Sequence, residues 1–320
     1  MSDVTIDRPR TPARLASPSG QRPLGGRLGL DVPRETWPTA PELKRLEACG
    51  YSWTQLHAPP VEMLADALTA RRYADCLRAV LAPTGLRVVL HAPDALQLGS
   101  TLHDRAFAGL LDCAVAIGAE IVVYHPAPAG SAASAADSPA ADLAGTADDP
   151  AWLAEEAALR RFAALAERTG MLLAVENLAP AYPVPSARRE PGHAPLHVRD
   201  LVRRVDSPAV GMAFDLGHAH VTAQLDGLAL VDVLASAIDE VVLFHVHDNL
   251  GAGRGADTPP GIPPLRLDLH MPPGRGTLPW RVLAPLLRAH TAPLLMEIAP
   301  GHRPEPLRLA TVSAELLTRS

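Results

Sequence analysis

Residues 241–251 read VVLFHVHDNLG. Val241, Val242, Leu243 and Phe244 form the start of a buried strand. His245, His247, Asp248 and Asn249 follow directly. A core has no use for such residues, because a buried polar group without a partner costs about 1–3 kcal/mol. His245 and His247 are two apart, so on a strand they share one face. The end of this strand therefore serves a purpose other than packing.

The same pattern recurs on both sides of it. RLGLDV (27–32), YSWTQLH (51–57), LRVVLHAP (86–93), EIVVYHP (120–126), MLLAVENL (171–178), VGMAFDLGHA (210–219), VVLFHVHDN (241–249) and APLLMEIAP (292–300) all read as strands. Helical stretches lie between and after them, at 39–50, 61–85, 103–119, 151–170, 197–205, 226–239, 278–290 and 305–318. Alternating strand and helix implies parallel strands joined by crossovers. Eight such units predict an α/β fold, a closed (β/α)8 TIM barrel. An open doubly wound sheet would carry a Gly-rich turn after its first strand, and LDVPRETW (30–37) is not one.

Composition narrows the class. The 320 residues are 48% hydrophobic, enough for a sizeable core. The net charge is −6 and Lys44 is the only lysine, which argues against a broad nucleic-acid surface. Cys49, Cys76 and Cys113 show no CxxC spacing and read as reduced thiols of a cytoplasmic protein. No apolar run is long enough to span a membrane. Residues 1–23 lack the apolar centre of a signal peptide and read as a flexible tail, leaving 24–320 as one barrel domain. Mobile loops are expected near 129–150 and 251–266, the second either a lid or a solvated insertion.

The strands end in chemistry. His91 closes the third and His125 the fourth, Glu176 and Asn177 the fifth, Asp215 the sixth with His218 one turn on, His245 and His247 the seventh, and Glu297 the eighth. In a barrel these ends converge on one face. Carboxylates and imidazoles crowded there need a cation, and a divalent metal (Mn²⁺, Co²⁺, Mg²⁺, Zn²⁺ or Fe²⁺) meets that need. His57 ends the second strand and is a candidate pocket residue. PPGRG (272–276) offers backbone N–H groups that could cradle a phosphate, with Arg275 facing either an anion or only solvent.

The motifs LHAP, VVYHP, AVENL, FDLGHA, FHVHDN, DLHMPPGRG and MEI, in this order over residues 27–300, resemble the xylose isomerase-like TIM-barrel superfamily. Its members include sugar phosphate isomerases/epimerases, D-tagatose 3-epimerase relatives, inosose dehydratase-like enzymes and endonuclease IV. In the sugar-type members one metal is held by residues matching Glu176, Asp215, His245 and Glu297. The resemblance implies His245 rather than His247 as ligand, because the family's ligand stands three residues before an acidic residue, here Asp248. It implies Glu176 and Glu297 as the acid/base pair, working through a metal-stabilised enediolate. His218, His247, His57, Asn177 and Arg275 would contact the substrate.

Endonuclease IV uses a nine-ligand, three-zinc site, and its additional ligands match His91, His125, His218, Asp268 and His270. Where endonuclease IV carries an aromatic–apolar pair against DNA, this chain has Asp94 and Ala95, and a carboxylate facing phosphates is unfavourable. The leading expectation is thus a metal-dependent isomerase or epimerase of a sugar, keto-sugar or cyclitol, with dehydratase or lyase chemistry inside that reading. The alternative is a multinuclear hydrolase of the endonuclease IV type. A barrel that binds a ligand without chemistry is a third reading, and the paired glutamates speak against it. The expected partner is a small sugar or polyol, and the resemblance also implies a homodimer.

Overall fold

The computed structural model describes residues 23–126, 150–180, 191–252, 262 and 266–318. The expected tail up to residue 22, the loop at 129–149 and most of 251–266 lie outside these residues. Eight strands form a closed parallel barrel in sequence order: β1 Leu28–Asp31, β2 Trp53–His57, β3 Arg87–His91, β4 Ala119–Tyr124, β5 Leu172–Glu176, β6 Val210–Asp215, β7 Val241–Val246 and β8 Leu294–Met296. β8 pairs with β1 through Gly29↔Leu295 and closes the ring. The helices are α1 Ala40–Ala48, α2 Val61–Leu64, α3 Ala67–Leu81, α4 Thr101–Ile117, α5 Pro150–Thr169, α6 Pro195–Val205, α7 Leu216–Asp226, α8 Leu230–Ala237, α9 Trp280–Ala289 and α10 Pro306–Thr318. Among the described residues no single helix is long and apolar enough to cross a membrane.

Strand parity divides the core in two. Trp53, Val89, Ile121, Val123, Leu172, Ala174, Ala213, Leu243 and Leu295 fill the barrel interior. Their odd-step neighbours, such as Leu56, Leu90, Val122, Val175, Phe214 and Phe244, pack against the helices. Continuing the inward parity by two residues reaches Gln55, His91, His125, Glu176, Asp215, His245 and Glu297. The same geometry that packs the interior thus aims these polar side chains into the barrel mouth.

Three elements differ from the sequence pattern, each for a local reason. The expected strand 210–219 stops at Asp215, which caps α7 by accepting from His218 N at 2.7 Å. α7 is buried on every side from Leu216 to Ala223, so it shows no helical stripe of apolar residues to read. The expected helix 226–239 starts later, at Leu230, after Gly227 ends α7 in the left-handed conformation. The helix at 61–85 is two helices, because Asp66 begins a new one by accepting from Thr69 N at 2.8 Å.

Candidate metal centre

Among the described residues, side-chain atoms able to ligate a metal gather at the C-terminal mouth in three adjoining groups. The central group is Glu176, Asp215, His245 and Glu297. His91, Asp94 and His125 form one flank, and His218, His247, Asp268 and His270 the other. Two carboxylates join them. Glu176 Oε2 lies 3.3 Å from both His91 Nε2 and His125 Nε2, while its Oε1 lies 3.0 Å from His245 Nδ1. Asp215 Oδ2 lies 3.8 Å from His245 Nδ1 and 3.6 Å from His218 Nδ1.

The ring orientations test whether these donors suit a metal. His245 Nε2 can only donate to Gln55 Oε1 at 3.0 Å, and Gln55 Nε2 donates onward to Glu297 Oε1 at 2.9 Å. His245 Nδ1 is buried with no hydrogen-bond partner and faces Glu176 and Glu297 at 3.0 and 3.4 Å. His91 Nδ1 donates to the carbonyl of Ala92 at 2.7 Å, His218 Nδ1 to that of Asn177 at 2.9 Å and His270 Nδ1 to that of Glu297 at 2.9 Å. Each ring is anchored by one nitrogen and turns the other toward carboxylates. Metal-ligating histidines are held in this way, so the donors fit a divalent cation.

Protons on the imidazoles balance the buried carboxylates. Burial opposes charge on His245, but Glu176 and then Glu297 outweigh it and raise its pKa to about 10. Burial likewise opposes His270, and Asp268 raises it to about 9. His218 is held well above its usual range against burial, first by Asp215 and then by Asp268. Burial alone would raise Glu176, yet His245 and His125 bring it well below the ordinary carboxylate value. Asp268 is depressed in the same way by His270 and His218, and Glu297 by His245 and His270.

Other expected site residues fall around this centre. His247 lies on the far side of Asp215, its Nε2 3.0 Å from both carboxylate oxygens. Its ring stacks on His270 with centroids 3.9 Å apart. Gly217 makes room for it, since a Cβ there would lie 2.1 Å from His247 Cε1. Asn177, expected to contact the substrate, instead grips the backbone of β6. Its Nδ2 donates to Asp215 O and its Oδ1 accepts from Asp215 N, both at 3.0 Å. His57 lies beside His91, ring centroids 5.3 Å apart, and burial lowers its pKa to about 3. A cavity of about 250 Å³ lies beside Arg34 and His57, walled by Trp37 and Tyr73. His220 Nε2 lies 2.9 Å from Thr277 Oγ1 and ties α7 to the segment before α9.

The expected phosphate cradle at PPGRG is taken. Gly274 N donates to Asp248 Oδ2 at 2.8 Å, and Arg275 stands exposed on the turn. Asp94 is not a bare carboxylate at the mouth. Arg34 binds both oxygens of Asp94, and Asp94 Oδ1 lies 3.4 Å from His125 Nδ1. Sequence reading missed Arg34, because nothing in LDVPRETW points across the mouth to residue 94.

This relay yields a prediction. Asp94→Asn weakens the hold on His125 and lowers metal affinity at the His91–His125 position by about 10–100-fold. Arg34→Ala gives a smaller loss that fades in high salt, because the pair is solvent-exposed. Metal titrations at two ionic strengths measure both, and equal affinity in Asp94→Asn and wild type rejects the relay.

Comparison with known proteins follows the same lines. The sequence model of the family described as xylose isomerase-like TIM barrel matches residues 43–318. Among solved structures, a D-tagatose 3-epimerase-like protein superposes with a TM-score of 0.64 at 16% identity, covering 91% of this chain and 97% of its own. The 3-keto-D-glucoside 4-epimerase from E. coli gives 0.62 at 16% identity, covering 92% and 99%. A protein named IOLI, solved with a zinc atom bound, gives 0.62 at 14% identity, covering 91% and 97%. At these identities the likeness shows the fold. A search of curated proteins finds no match.

Proposed function

We propose that this chain, which belongs to the xylose isomerase-like TIM barrel family, is a metal-dependent isomerase or epimerase of a sugar, keto-sugar or cyclitol. The observation that carries the reading is the pair of glutamates flanking one imidazole, Glu176 and Glu297 at 3.0 and 3.4 Å from His245 Nδ1. Glu176, Asp215, His245 and Glu297 would hold the metal. A bound divalent ion would polarise the carbonyl and neighbouring hydroxyl of the substrate.

The chain's own groups supply the rest. Both glutamates are ionised, and an ionised carboxylate can accept a proton. One takes the proton from the carbon beside the carbonyl, and the other returns one. Gln55 keeps the Glu297 carboxylate and the His245 ring in fixed orientation. The sugar epimerases among the structural neighbours agree with this substrate class.

The test is solvent deuterium uptake. The metal-loaded enzyme, given keto-sugars in D₂O, incorporates deuterium at one carbon beside the carbonyl, seen by proton NMR. Glu297→Gln lowers that exchange on the order of 10³-fold. Exchange at wild-type rate in Glu297→Gln removes the glutamate from the chemistry.

A second reading has its own support. Glu176 and Asp215 each bridge neighbouring donor groups, the arrangement a multinuclear hydrolase of the endonuclease IV type needs. Phosphodiester cleavage with no deuterium uptake would favour it.

A further inference from the structure

We propose that Asp248 is a latch that builds the third metal position, by holding the segment 267–278, and with it Asp268 and His270, against the end of β7. The inference rests on reading His218, Asp268 and His270 as a metal position, and it is independent of the reaction that follows.

Asp248 belongs to none of the three donor groups, yet it is fully buried at the mouth. Its carboxylate accepts four hydrogen bonds. Asn249 N and Leu278 N donate to Oδ1 at 3.0 and 3.1 Å. Gly274 N and Trp280 Nε1 donate to Oδ2, both at 2.8 Å. Its backbone pairs with Met271 in both directions, at 2.7 and 2.9 Å. Asn249 completes the grip: its Oδ1 accepts from Leu269 N at 2.6 Å and its carbonyl from Thr277 N at 2.9 Å. The segment passes so close that a Cβ at Gly276 would lie 2.3 Å from Asp248 Oδ1.

His270 sits between the two pinned residues Leu269 and Met271. Its φ is +47°, a conformation a non-glycine residue avoids when free. Asn249 Oδ1 and the Asp248 backbone fix these two neighbours, and the Asp248 carboxylate fixes the turn that follows at Gly274 and Leu278; together they hold that conformation, with His270 Nε2 2.8 Å from Asp268 Oδ2. The other candidate ligands come from or directly follow β3–β8, whose ladders do not involve residue 248. Loss of the latch should therefore be selective.

The chemistry demands a carboxylate. All four side-chain contacts are N–H donors, so both oxygens must accept. An asparagine keeps the shape but turns an NH₂ toward two donors. Asp248 is a positioning residue, and it sets how many metals the chain holds.

The test compares wild type, Asp248→Asn, Asn249→Ala and Trp280→Phe. Each is saturated with Zn²⁺, desalted and counted for metal per chain. Hydrogen exchange by mass spectrometry is measured on the metal-free proteins. Expected are three Zn²⁺ in wild type and Trp280→Phe, which keeps the carboxylate, and two in Asp248→Asn. Exchange across 267–278 rises at least tenfold in Asp248→Asn while the strand peptides stay unchanged. Wild-type metal count with wild-type exchange in Asp248→Asn overturns the latch. If wild type itself holds one Zn²⁺, the three-position reading fails, and exchange alone decides: selective acceleration upholds the latch and unchanged exchange overturns it. Should Asp248→Asn unfold as a whole, Asn249→Ala decides by the same two readouts.

Discussion

Glu176→Gln removes the bridge between the two positions that share its carboxylate and weakens metal uptake there, and turnover falls on the order of 10³-fold. The geometry explains the size of the effect. Oε2 serves His91 and His125, and Oε1 serves His245. An amide replaces one of these oxygens with an NH₂ group, which cannot bind a cation. The change is also visible without metal. His245 loses the first of the charges that hold it at about 10, so its pKa falls toward the ordinary 6.5. Metal analysis and an NMR titration of the histidines measure both consequences. Wild-type metal content in Glu176→Gln would mean that this carboxylate does not bridge.

Metal affinity falls steeply with acid, starting from neutral pH. His245 and His270 hold protons to about 10 and 9, and His218 stays protonated well above 6.5. At pH 7 each must release its proton before it can bind a metal, one proton per ring. Every pH unit lost therefore costs about tenfold in apparent affinity for each proton displaced. Calorimetry in buffers of different ionisation enthalpy counts the protons, and a count of zero would show that these rings are not ligands.

The metal-free protein shows the same linkage as stability, and the sign follows from the shifts. The raised histidines contribute stability that is fully present below 6.5 and is lost as pH rises through about 9 and 10. The depressed Glu176 and Asp268 contribute stability present above their ordinary values of 4.5 and 3.8, and lost as pH falls further. In chelator the melting temperature should therefore peak between about pH 4.5 and 6.5 and decline toward pH 9. A curve flat from pH 6 to 10 would contradict the pairing.

The barrel and most of its candidate ligands were legible in the chain because both depend on period two. Apolar residues alternate between interior and helix-facing layers, and the same parity carried past each strand end lands on His91, Glu176, Asp215, His245 and Glu297. α7 escaped because its first turns are buried on all sides and follow β6 without a loop. The pairing of Arg34 with Asp94 escaped because a contact between residues 60 apart leaves no local pattern.

Alternation along the chain therefore encodes the architecture, the end of the barrel where polar side chains gather and the residue types found there. The finer assignments depend on contacts between distant segments. His245 stands among the carboxylates while His247, two residues on with the same parity, binds Asp215 from the other side. Asn177 is spent on a neighbouring strand's backbone, and Asp248 fills the cradle expected at PPGRG for a phosphate. Such roles depend on which donors meet which acceptors once eight strands close into a ring, and that pairing is set by distances no single stretch of chain contains.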